Sequence, residues 1–226
     1  MLKAVIFDFD GLIVESESPL YRAWADLFAK YNQELPLEQW AKFIGTVDDY
    51  FDPLAELEKR LGKPFPEREN LRAAVEARSL HQLIAQGAQP GVIDTLQQAT
   101  ALGLKIGLAS SSNREWVESH LQRLQIKHYF HCIRTFSDVG SAKPDPKLYL
   151  SVLDYFSILP EEAIALEDSP NGIQAARAAG IFCIAVPNQL TRHLDLSQAN
   201  LRLHSLTELN LQQLQRQFNG RSQETR

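Results

Sequence analysis

Four separate stretches of the chain put chemically capable side chains where a short apolar run stops. Asp8 and Asp10 close the run at residues 3–9 (KAVIFDF), and Ser110 follows the run at 105–109 (KIGLA). Lys143 lies in a Gly/Pro-rich loop (GSAKPDP), and Glu167 and Asp168 close the run at 163–167 (AIALE). Several carboxylates in one pocket repel each other unless a cation joins them, and hard oxygen ligands favour Mg²⁺. Lys143 supplies a positive point charge, while Ser110 supplies a hydroxyl and a backbone N–H. Both suit phosphate oxygens. The chemistry that needs such a set is phosphoryl transfer. Asp8 can attack phosphorus in line to give an aspartyl-phosphate. Asp10, two residues on, can protonate the leaving oxygen and later deprotonate water. Mg²⁺ would offset the repulsion between an anionic nucleophile and an anionic phosphate.

These residues meet only if the runs that carry them lie side by side. Each run is a short β-branched or aromatic segment of the kind that forms a buried strand. Further strands are expected at 131–136, 181–186 and near 201–204. Helical patterns alternate with them at 91–102, from Ser112 through Leu124, at 146–156, 170–179 and 207–217. Ser112-Asn113-Arg114-Glu115 reads as a capping box, and Ser169-Pro170 as a helix start. Strands alternating with helices predict a parallel sheet covered on both faces. Ligands bind in the crevice at the carboxyl ends of such strands, where the acids, the lysine and the serine sit.

Residues 15–90 break that rhythm. Leu20, Ala23, Trp24, Leu27, Phe28 and Tyr31 form one helix face, and helical patterns follow at 37–44, 49–61 and 67–86. The expectation is a doubly wound α/β core from residues 1–15 and 87–226, carrying an inserted helical cap from 16–86. The tail from Asn219 is polar and is expected to be disordered.

The 226 residues carry a formal net charge of −5 and no Lys/Arg run, a poor footprint for nucleic acid. No apolar segment is long enough to span a bilayer, and MLKAVIFDFDG is too short and acidic for a signal peptide. The two cysteines, Cys132 and Cys183, sit in apolar stretches and read as buried thiols. A cytoplasmic monomer acting on a small phosphorylated metabolite is the expectation. Neither a GxGxxG nor a Walker-type motif occurs, and the six histidines show no metal-ligand spacing.

Taken together, FDFDGLIVES, LASSSN, SAKPDPKLY and LEDSPNGIQAARAAG resemble, in order and spacing, the four motifs of the haloacid dehalogenase-like phosphohydrolase superfamily. The likeness covers essentially the whole chain and is to the branch with a helical cap, alongside β-phosphoglucomutase and small-metabolite phosphatases. It implies Asp8 as nucleophile, Asp10 as acid/base, and Ser110, Ser111, Asn113 and Lys143 as the substrate-binding set. It also implies metal ligation by Asp8, the Asp10 carbonyl oxygen, Asp168 and Glu167. The family's dehalogenases lack Asp as the second acid of the first motif, so Asp10 favours phosphoryl transfer.

Each residue has a plainer reading. Ser112 and Ser169 can be N-caps, Asp10-Gly11 a turn, Lys143 a solvated lysine, and Trp24, Trp40 and Trp116 packing residues. Their joint occurrence at four strand ends favours chemistry. Three functions then compete: hydrolysis of a phosphate monoester, a phosphosugar mutase, and a receiver-like phospho-switch. The long helical insert speaks against a receiver, which needs no lid. Against the mutase, Leu20 aligns with its cap histidine, and Gly45-Thr46-Val47-Asp48-Asp49 stands where it carries an arginine.

Overall fold

A computed structural model describes residues 1–41, 44 and 51–224. Its strands are β1 (Ala4–Phe7), β2 (Lys105–Ser110), β3 (Cys132–Thr135), β4 (Ala163–Glu167), β5 (Phe182–Ala185) and β6 (Leu201–Arg202). All pair in parallel, in the order β3-β2-β1-β4-β5-β6. The chain builds outward from β1 on one side and then returns to build outward on the other. The switch point, where parallel sheets open a crevice, therefore lies between β1 and β4. Phe7 pairs with Leu166, so Asp8 and Glu167 leave the sheet at the same level, and Asp8 N–H donates to Leu166 O at 3.0 Å.

β2, β4 and β5 alternate large and small side chains, β1 departs from this at Ile6, and the alternation sets the layers. Val5, Phe7, Ile106, Leu108, Ile164, Leu166 and Ile184 face one core, shared with α5 (Val92–Ala101), α6 (Arg114–Arg123) and α10 (Leu211–Glu224). Ala4, Ala109, Ala163, Ala165, Cys183 and Ala185 face the other, where α8 (Lys147–Phe156) and α9 (Pro170–Ala178) lie close. Gly107 belongs to this small set, since a Cβ there would come within 2.6 Å of Val152. Both cysteines are buried and unpaired.

The helices between β1 and α5 form a separate layer: α1 (Glu17–Lys30), α2 (Leu37–Ala41), α3 (Pro53–Leu61) and α4 (Arg68–Ile84). Trp24, Leu27, Phe28, Leu54, Leu57 and Val75 build a third hydrophobic cluster, joined by Leu190 from the loop after β5. Asp52 caps α3 by accepting from Leu54 and Ala55 N–H, and also pairs with Arg68 and Arg72. Where the chain re-enters the sheet, Gln89 N–H donates to Ile13 O at 2.9 Å, and Arg123 donates to Ile84 O and Gln86 O.

Three expectations need correction. The cap of α6 is Asn113, not Ser112: Asn113 Oδ1 accepts from Trp116 N–H at 2.8 Å, which releases the Ser112 hydroxyl for other work. The tail is ordered further than its polarity implied, for α10 runs to Glu224. Phe218 meets Phe182 edge-on, and Asn219 Oδ1 accepts from Leu2 N–H. Within the helical layer, α3 begins at Pro53 rather than 49 because Asp52 supplies its cap, and positions 42–43 and 45–50 lie outside the described residues.

Candidate active site

The loop after β1 sets the geometry. Gly11 has φ +82°, a left-handed conformation, and a Cβ there would fall 2.2 Å from an Asp168 carboxylate oxygen. Only glycine lets this loop press on the end of β4. Asn188, just past β5, completes the contact by donating to Asp168 Oδ2 at 2.8 Å.

Asp8, Lys143, Glu167 and Asp168 come together at the switch point, all buried. Lys143 Nζ pairs with Asp8 Oδ1 and, at 2.5 Å, with Glu167 Oε1. The Tyr149 hydroxyl also donates to Glu167 Oε1. Burial and then the Glu167 carboxylate push the Asp8 carboxyl up to about 8, outweighing the pull of Lys143. Burial, Asp8 and Glu167 hold Asp168 well above the usual carboxylate range. Burial works against the Lys143 ammonium, but Asp8 and Glu167 prevail and raise it above an ordinary lysine. Two carboxylates share one ammonium with Asp168 beside them in a dry place, and burial with like charge raises Asp8 and Asp168. Truncating Lys143 would leave the buried carboxylates uncompensated, a loss of roughly 3–5 kcal/mol.

Asp10 occupies a different environment. Its carboxylate accepts from the Ser16 hydroxyl at 2.7 Å, the Ser112 hydroxyl at 2.6 Å and Trp116 Nε1–H at 3.0 Å. Those donors come from three places: the entry to α1, the loop after β2, and the first turn of α6. Trp116 is itself held by His120, whose ring stacks edge-on 4.3 Å away. The sequence marks Trp116 as packing only, whereas its indole N–H reaches an acid.

Ser110 is buried, and its hydroxyl accepts from Ser112 N–H at 3.0 Å. Ser111 Oγ accepts from Lys143 N–H at 3.1 Å and ties the second and third motifs together. Asn113 lines the same cavity, but capping occupies its carbonyl oxygen and leaves only its amide hydrogens for a ligand. That cavity, about 770 Å³, runs from Asp8, Asp10, Ser110, Lys143 and Asp168 up to α1 and α4. Ser16, Ser112, Trp116, Tyr149 and Asn188 are the site residues the sequence reading left out. Asn188 carried a signal: it follows a strand's carboxyl end, as the acids do.

One oxygen each of Asp8, Glu167 and Asp168 lies within 4.8 Å of the others. Glu167 Oε2 is buried with no hydrogen-bond partner. An all-oxygen donor set with excess negative charge fits a hard divalent cation. The Asp10 carboxylate is outside this cluster, so its side chain is free of that duty.

A parallel sheet with clustered acids at its switch point and a helical layer above them defines a doubly wound α/β protein whose crevice suits a divalent cation. The haloacid dehalogenase-like hydrolase family model matches residues 5–186, and the chain belongs to that family. Two relatives are YhcW of Bacillus subtilis (strain 168), 41% identical over 93% of this chain and 95% of its own length, and phosphoglycolate phosphatase of Escherichia coli O157:H7, 31% identical over 92% and 91%. The crystal structure of CbbY from Rhodobacter sphaeroides in complex with phosphate matches at a TM-score of 0.69 with 28% identity, covering 93% of this chain and 97% of that one. β-Phosphoglucomutase from Clostridium difficile shares the fold at a TM-score of 0.70 with 24% identity, over 97% and 98%. No helix among the described residues is long and apolar enough to cross a membrane.

Proposed function

We propose that this chain hydrolyses small phosphate monoesters through an aspartyl-phosphate on Asp8, with Mg²⁺ as its divalent ion. The observation that carries the reading is the buried Asp8–Lys143–Glu167 array beside Asp168 at the switch point. In this reading Lys143, Ser110, Ser111 and the Asn113 amide hold the phosphoryl oxygens. An Asp8 carboxylate oxygen attacks phosphorus, the phosphorus–alcohol bond breaks, and Asp10 gives its proton to the leaving oxygen. Water then attacks phosphorus while Asp10 takes its proton, the phosphorus–Asp8 bond breaks, and inorganic phosphate leaves. Asp8, Asp168, the Asp10 carbonyl oxygen and Glu167 would hold Mg²⁺, which would supply positive charge against the repulsion between nucleophile and phosphate.

Residues 16–86 serve in this reading as a cap that hinges on the two linkers and excludes water during the first step. The enzyme acts as a cytoplasmic monomer. Leu20 lines the cavity and cannot relay a proton or a hydrogen bond, which favours hydrolysis over mutase chemistry. The stretch Gly45-Thr46-Val47-Asp48-Asp49 lies outside the described residues.

The test is phosphate release from a panel of sugar phosphates, nucleotides and small organic phosphates, with Mg²⁺ and with a chelator. Mg²⁺-dependent release from at least one ester is expected. No release from any ester would overturn the reading. So would glucose 6-phosphate appearing from β-glucose 1-phosphate faster than inorganic phosphate.

A further inference from the structure

The cavity has two ends of different character. Its floor carries Asp8, Asp10, Asp168 and Lys143, with Glu17 at the start of α1 beside them. Its upper wall is one face of α4, where Ala73, Glu76, Ala77 and Leu80 recur at three- and four-residue spacing and line the space. All four are exposed, although they sit on a helix whose opposite face is packed. Among the described residues, Glu76 has no hydrogen-bond or ion-pair partner. Lys143 is the one cation among the described residues that line the cavity, and it is committed to Asp8 and Glu167.

We infer that Glu76 sets leaving-group specificity, so that the substrates are phosphate monoesters whose alcohol part carries hydroxyl or amino groups and no second anion. The inference rests on the phosphatase reading above. A phosphate held at Lys143 leaves the rest of the molecule to extend toward α4. Enzymes that hold a second phosphate or carboxylate do so with fixed positive charge, from arginine above all. Among the described residues the upper wall presents a free carboxylate instead. A second anion would lose its water and meet a like charge, whereas a hydroxyl or ammonium can donate to Glu76. Ala73 and Ala77, one helical turn apart, leave room on either side of that carboxylate. Leu80 and Leu20 offer apolar contact for the C–H face of a sugar ring.

The experiment compares kcat/KM for four matched hexose esters with Mg²⁺: glucose 6-phosphate, glucosamine 6-phosphate, 6-phosphogluconate and glucose 1,6-bisphosphate. The wild-type enzyme is expected to disfavour the last two by roughly two- to fivefold, as a like charge at an exposed site would. Glu76→Gln should shrink the ratio between neutral and anionic esters, and Glu76→Lys should shrink it further or reverse it. Glu69→Lys alters the same helix by the same charge but lies outside the cavity, and it should leave the ratio unchanged. Equal turnover of anionic and neutral esters by wild type would overturn the inference. So would a ratio that both Glu76 variants leave alone, or one that Glu69→Lys moves as much as Glu76→Lys does. Loss of hydrolysis with all four esters and every other ester tried is a different result, which refutes the phosphatase reading and the inference with it.

Discussion

The two ends of the cavity are built on opposite principles. At the sheet edge the charged groups are buried and interlocked: Lys143 touches Asp8 and Glu167, Asn188 touches Asp168, and three donors fix Asp10. On α4 the lining residues Ala73, Glu76, Ala77 and Leu80 are exposed, and no hydrogen bond among the described residues joins them to the floor. The first arrangement holds reacting atoms still, and the second can vary without disturbing them. The difference teaches a division of labour: rate should be written into the strand ends, and choice of substrate into one helix face.

The sharpest way to break this division is Asp8→Asn. An amide is a poor nucleophile, so turnover should fall by at least about 10³-fold. The loss should be uniform across esters, with circular dichroism unchanged. A variant that lost activity on some esters and kept it on others would place Asp8 in selection rather than in chemistry.

Asp10→Asn comes next. Loss of proton transfer should lower the rate by about 10²–10⁴, again without reordering substrates. Near-normal turnover, followed by phosphate release, would show that another group moves the proton.

A third test concerns stability. The Asp8 carboxyl is raised to about 8 when folded, above its ordinary 3.8. The folded state therefore binds a proton that the unfolded chain releases, and stability falls as pH rises between those values. Metal-free protein should lose several degrees of melting temperature, roughly, from pH 5 to pH 8. Added Mg²⁺ should recover more at pH 8 than at pH 5. A flat profile by scanning calorimetry would mean that the strand-end acids are not under the electrostatic load described.

The smallest effect is expected for Trp116→Phe. It removes one of three donors to Asp10 while keeping an aromatic ring beside His120. A hydrogen bond to a charged group is worth about 1.5–3 kcal/mol, so kcat should fall by roughly ten- to a hundredfold. Because Trp116 acts through Asp10, the acidic or basic limb of the kcat–pH profile should shift with it. A change confined to KM for bulky esters would place Trp116 on the selective wall instead.

Much of the sheet was legible in the sequence because each strand is a short apolar run ending in a polar residue. The AIALE run is β4 itself, and β1, β2 and β4 carry Asp8, Ser110, Glu167 and Asp168 at one end of the sheet. What stayed hidden was local competition. Ser112 and Asn113 are adjacent, and either can cap a helix, so sequence could not say that Asn113 takes the cap and frees Ser112 for Asp10. Trp116 and His120 lie one turn apart on an amphipathic helix, where packing is the ordinary explanation for both. The end of α10 was missed because polar residues beyond Phe218 carry no apolar period, although Phe218 itself anchors that helix on Phe182.

The two faces of the sheet also bear on how such a chain can drift over generations. Where Phe7, Leu108 and Leu166 fill the thick layer, a smaller residue opens a void, at a cost of about 2–5 kcal/mol. Where Ala109, Ala165 and Gly107 admit α8 closely, a larger residue forces the helix outward, at about 1–3 kcal/mol. Neighbouring codons along one strand thus face opposite selection, the first against shrinkage and the next against growth. Because both lead to the same carboxyl end, a tolerated change on one face reaches the acids only through a shift of the strand they share.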